Sequence, residues 1–145
     1  MRIEEEIKLD YSDVLFRPKR STLKSRKEVD LHRTYKFKYS NNEWNGVPII
    51  ASNMDGVGEL EVAKSLAKFK IMTALTKQHN LKTINDSSAI KEIFNYVALS
   101  CGTSPENHER LNDILREHSY FQFICIDVAN GYSEHFSKFV SSVRE

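Results

Sequence analysis

The chain is poor in nearly every feature that would assign it to a specialised class. Of its 145 residues only 2 are cysteine, 3 are proline and 5 are glycine. Cys101 and Cys125 have a spacing that fits no metal pair and form no disulfide framework, so a reducing cytosol is the expected compartment. The scarcity of glycine and proline speaks against disordered and fibrous classes. Net charge is scarce too: 21 Lys and Arg against 20 Asp and Glu leave +1, too little to attract nucleic acid or an acidic membrane by field alone. Any anion must be bound locally. No apolar run approaches the ~18 residues of a membrane span, and Glu4, Glu5 and Glu6 stand where a secretion signal would be apolar. Neither insertion nor secretion is expected.

What is present is a packed globular composition, 40% hydrophobic and 28% charged. From Val47 onward, short apolar runs alternate with longer amphipathic ones. The pattern predicts four strand–helix units. Val47 to Ser52 precedes a helix over Glu59 to Phe69, and Ile71 to Leu75 precedes one over about Lys82 to Phe94. Tyr96 to Ser100 precedes a helix opened by Ser104 and Pro105, an N-cap followed by proline at the first helical position. The last strand, Phe121 to Asp127, is almost continuously apolar, as a strand covered on both faces should be, and Ser133 caps the final helix. Residues 1–46 stand outside this rhythm and read as an N-terminal arm. Within it, Asp13 to Phe16 and Tyr35 to Lys38 look like short strands around a basic stretch, Arg17 to Lys27.

Such alternation means parallel strands joined by right-handed crossovers, either in an open doubly wound sheet or in a (β/α)8 barrel. Four units over residues 47–145 are half of a barrel whose usual length is about 250 residues. In both architectures ligands bind beyond the C-terminal ends of the strands. Those loops carry Asn53 to Gly56, Thr76 to His79, Cys101 to Thr103, and Asn130 with Gly131. Turn chemistry alone can account for many of these residues. A carboxylate ending the run FICID is more informative, because its burial without a partner would be costly; Asp127 is the leading ligand-binding candidate. Lys77 lies on the same rim and suits a phosphate or carboxylate, the alternative being a solvated loop lysine. The basic stretch around Arg26 can grip phosphate or be a solvated surface. Cys101 lacks a His or Asp at dyad spacing and reads as a packing residue, and the histidines show no zinc spacing.

The segments DVLFRPKRSTLKSR (Asp13 to Arg26), GVPIIASNMD (Gly46 to Asp55) and CIDVANGYSEHF (Cys125 to Phe136) closely resemble GMP reductase. IMP dehydrogenase, the sister enzyme, shares the first two more loosely and usually carries an inserted regulatory domain, of which the chain shows no sign; it is the runner-up. The resemblance implies a partial (β/α)8 barrel, a homotetrameric cytoplasmic enzyme when complete, and NADPH-dependent reduction of GMP to IMP and ammonia in purine metabolism. In that chemistry a cysteine attacks the purine C2, ammonia leaves, and hydride reduces the intermediate. By the same resemblance Ser25, Arg26, Lys77, Glu106, Asp127, Val128 and Ala129 match cofactor-contacting positions. The family's catalytic cysteine and its potassium site correspond to positions later than Glu145. The expectation is therefore a truncated chain, inactive alone, or an inactive nucleotide-binding partner of an intact enzyme. Gly56 and Glu59 stand where the family pattern has threonine, and Leu75 to His79 departs from a VHKHY-like pattern around Lys77.

Overall fold

A computed structural model describes residues 5–85 and 90–144. It divides into two units, Met1–Asp30 and Leu31–Glu145. In the first unit the strand expected over Asp13 to Phe16 does not form. Asp10 instead caps a 3-10 turn, Tyr11–Asp13. Its Oδ1 accepts from the Tyr11 amide at 2.7 Å, and Asp13 Oδ2 accepts from the Asp10 amide at 2.9 Å. Two carboxylates bonded to their own backbone favour a turn over an extended pairing. A second turn, Arg26–Glu28, begins at Ser25, whose Oγ accepts from the Lys27 amide at 3.2 Å.

The second unit begins with a hairpin of β1 (Arg33–Lys36) and β2 (Glu43–Ala51), antiparallel with Arg33 opposite Gly46. The strand expected at Tyr35 to Lys38 thus starts two residues earlier. From β2 onward the sheet is parallel: β3 (Ile71–Ala74), β4 (Val97–Cys101) and β5 (Phe123–Ile126) follow in chain order. β2 shifts register between Val47 and Ile50, around Pro48, which has no N–H to give to a ladder.

The crossovers carry α1 (Leu60–Ala67), α2 (Leu81–Asn85), α3 (Ile90–Ile93), α4 (Pro105–Glu117) and, after β5, α5 (Glu134–Arg144). The segment expected to be helical over Lys82 to Phe94 is helical at Leu81–Asn85 and Ile90–Ile93 and ends in a 3-10 turn, Phe94–Tyr96; residues 86–89 lie outside the described residues. α4 begins as the sequence predicts: Ser104 Oγ accepts from the Asn107 amide at 3.3 Å with Pro105 beside it. Ser104→Ala is expected to cost about 1 kcal/mol of stability, read from the midpoint of chemical denaturation. An unmoved midpoint would mean the cap is dispensable.

The described helical segments all pack on one face of the sheet. Ala63, Ile84, Ile90, Ile93, Leu111, Ile114 and Phe139 meet Leu75, Val97, Leu99 and Cys101 there. At the base of this layer His118 ties α4 to α2: Nε2 lies 2.6 Å from Asn85 Oδ1, and Tyr120 Oη lies 3.0 Å from Nδ1. With the amide oxygen as acceptor, Nε2 carries the proton and Nδ1 accepts from the tyrosine. The opposite sheet face gathers Met72, Ala74 and Ala98 around Trp44, with no α-helical residue joining them. A doubly wound sheet has helices on both faces and a reversal of strand order. The described residues have neither, so that alternative is excluded for them.

Candidate functional site

The C-terminal ends of the parallel strands form one rim, built from three loops that bind one another. The first follows β2. Met54 O accepts from the Val57 and Gly58 amides at 3.0 and 2.8 Å, and Gly56 adopts φ +74°, where a side chain would be strained. Gly58 then lies directly on the end of β3. A Cβ there would stand 2.6 Å from Ala74 O and 3.0 Å from the Thr76 amide, both backbone, so only glycine lets the loop close down. The contact is cemented by Thr76 N donating to Gly58 O at 2.8 Å.

The second loop, Leu75 to Asn80, carries Lys77 exposed at its tip. Its first half is held by the Leu75 amide on Ala98 O (2.9 Å) and by Thr76 on Gly58. Its second half is held by Arg110 of α4, whose guanidinium donates to His79 O and, at 2.7 Å, to Ser100 O. His79 Nε2 also lies 3.2 Å from Glu59 Oε2, without the alignment of a hydrogen bond. Burial pushes the Arg110 pKa down and that of the neighbouring Cys101 thiol up, with the cation opposing part of the rise at Cys101. A thiol fully enclosed in the helix layer and held in its neutral form is a packing residue.

The third loop follows β5. Asp127, expected to be buried, is exposed. The apolar run ends at Ile126, and the Asp127 amide bonds Cys101 O at 2.9 Å, which turns its carboxylate out at the rim. Asn53 Nδ2 donates to Asp127 Oδ2 at 3.1 Å, so residues 74 apart in sequence are joined across the first and last parallel strands. Val128 is half-buried and Ala129 exposed in the same loop. Ser100 Oγ is buried with no partner among the described residues, on the sheet face of its register partner Cys125.

Lys77, Asp127, Val128 and Ala129 therefore share the rim. Glu106 is exposed in the first turn of α4, where hydrogen bonds from the Ser104 hydroxyl and its own amide hold its carboxyl below the usual range; it serves that helix start. Ser25 and Arg26 belong to the Met1–Asp30 unit. Arg110 is absent from the sequence-based candidates. Its signal was available: it lies four residues before Ile114 and next to Leu111, on the inward stripe of α4, where an unexplained cation is unusual.

Residues 8–145 match the family model described as the IMP dehydrogenase / GMP reductase domain. The chain belongs to this family. Among its relatives, the GMP reductase of Citrobacter koseri is 52% identical over 147 residues, covering 100% of this chain and 42% of the relative. The GMP reductase of Escherichia coli O81 is 52% identical over 149 residues with the same coverages. Among solved structures of the family, inosine 5′-monophosphate dehydrogenase from Legionella pneumophila superposes with a TM-score of 0.63 at 25% identity, over 92% of this chain and 39% of that one. The chain thus spans 42% of the length of the curated GMP reductases it matches.

Proposed function

We propose that this chain supplies the cofactor-holding half of a GMP reductase. Residues 47–145 are the first four strand–helix units of a (β/α)8 barrel, residues 1–46 are its N-terminal arm, and the completed enzyme converts GMP to IMP and ammonia with NADPH. The observation that carries this reading is the rim itself: a lysine and a carboxylate, both exposed, on loops held by other loops, in a chain 52% identical to GMP reductases. The donor set suits a dinucleotide. Lys77 offers a compact positive charge to a phosphate, and Asp127 offers acceptors to sugar hydroxyls or an amide. The cofactor, when bound, supplies the hydride. The chain's own residues bind and orient it: Val128 and Ala129 flank Asp127, and Ser25 and Arg26 are further contacts by the family resemblance. Neither Cys101 nor Cys125 acts as the nucleophile, and the potassium site belongs to the half that completes the barrel.

The test is an NADPH titration of the 145-residue chain, alone and completed in trans by the remainder of a relative. Lys77→Ala and Asp127→Ala are each expected to weaken binding about tenfold, the size of one charge-assisted hydrogen bond. Unchanged affinity in both variants would overturn the reading.

A further inference from the structure

Arg110 is a partly buried cation, and among the described residues no carboxylate pairs with it. Its hydrogen-bond partners among the described residues are carbonyls, His79 O on the loop after β3 and Ser100 O on β4. Desolvating a guanidinium for the sake of two carbonyls is a poor route to stability. It is an effective route to position, because the planar fork fixes both carbonyls relative to each other. The loop between β3 and α2 has two fixed ends. Thr76 is anchored by Gly58 O, His79 by Arg110, and Lys77 sits between them. His79 N further closes a turn onto Thr76 O at 3.3 Å.

We propose that Arg110 is the positioning residue of this loop: by gripping His79 O and Ser100 O together it holds Lys77 where a nucleotide phosphate meets the rim. The inference rests on the reading of Lys77 as a cofactor contact, but the grip itself does not. Arg110 acts through the backbone of residue 79 and touches no ligand. A lysine in its place keeps a donor but loses the planar fork, so Arg110→Lys retains part of the function and Arg110→Met none.

The experiment combines amide hydrogen exchange with NADPH titration on the 145-residue chain, alone and completed as above, in wild type, Arg110→Met, Arg110→Lys and each combined with Lys77→Ala. Arg110→Met is expected to lose exchange protection at the Thr76 and His79 amides while the β4 and β5 amides keep theirs. It is expected to weaken NADPH binding about tenfold, with Arg110→Lys in between. In the Lys77→Ala background Arg110→Met should add less than about twofold, since a group acting through Lys77 has nothing left to position. Full protection of Thr76 and His79 in Arg110→Met overturns the inference. So does an equal loss of affinity with and without Lys77, which would mark Arg110 as a direct contact or a general stabiliser. If Lys77→Ala leaves NADPH binding untouched, the cofactor reading of Lys77 fails while the exchange data still decide the grip. Should Arg110→Met unfold, Arg110→Lys carries the same comparison.

Discussion

Trp44→Ala is expected to remove about 3–5 kcal/mol of stability, a large part of what a domain of this size possesses. The indole is buried and gathers Met72, Ala74 and Ala98 on the sheet face that no α-helix covers among the described residues. It lies 6.3 Å from the Tyr35 ring and 6.2 Å from Tyr96, centroid to centroid, and its Nε1 donates to Asn95 O at 2.9 Å. Truncation therefore opens a cavity and leaves a carbonyl without its donor. Gly46 shows how closely the ring is fitted: a Cβ there would meet both the indole and Lys70 O. Trp44→Phe, which keeps most of the volume and loses the hydrogen bond, should cost about 1–2 kcal/mol. Trp44 is the chain's only tryptophan, so denaturation should be followed by circular dichroism. A loss below about 1 kcal/mol for the alanine variant would show that the hairpin does not hold the open face together.

The second large effect concerns turnover. The chain alone is expected to oxidise no NADPH in the presence of GMP: Cys101 is enclosed in the helix layer, where burial pushes its thiol pKa up, and Cys125 packs half-buried on the opposite sheet face. Turnover is expected to appear when the chain is mixed with the part of the Citrobacter koseri GMP reductase that follows its aligned 147 residues. The sheet offers the surface for that association. Ile49 and Ile50 of β2 are 57% and 64% exposed, although a strand of this composition is normally covered. Ile50 also lines an apolar groove with Met72, Ala98, Phe123 and Cys125. Size-exclusion chromatography with light scattering, followed by an NADPH-oxidation assay, separates the outcomes. Co-elution with turnover supports the half-enzyme. Co-elution without turnover favours an inactive nucleotide-binding partner, and oxidation by the chain alone would refute the account of both cysteines.

How much was legible in the sequence varied with how local the cause is. The four parallel strands were readable because each is a short apolar run closed by turn residues, and α4 was readable because Ser104 and Pro105 act within one helical turn. The strand expected over Asp13 to Phe16 failed because apolar side chains there suggested pairing, whereas the Asp10 and Asp13 carboxylates bond locally and favour a turn. The helix expected over Lys82 to Phe94 ends in a 3-10 turn at Phe94–Tyr96, because an apolar stripe does not reveal how the last turn tightens. At the rim, Lys77 and Asp127 could be singled out by their position after apolar runs. The exposure of Asp127 could not, since it depends on where Cys101 O and Asn53 stand.

By itself, then, the sequence determined the alternation of strands and helices, the start of α4, and which loops carry charged and polar groups, because these follow from periodicity and from hydrogen bonds a few residues long. Only the tertiary structure decided that the strands lie in chain order with the described helices on one face, that Asn53 meets Asp127, and that Arg110 grips His79 and Ser100. Those contacts join residues from 10 to 74 positions apart, and their partners are chosen by the packing of separate crossovers against one sheet rather than by any local preference of the chain.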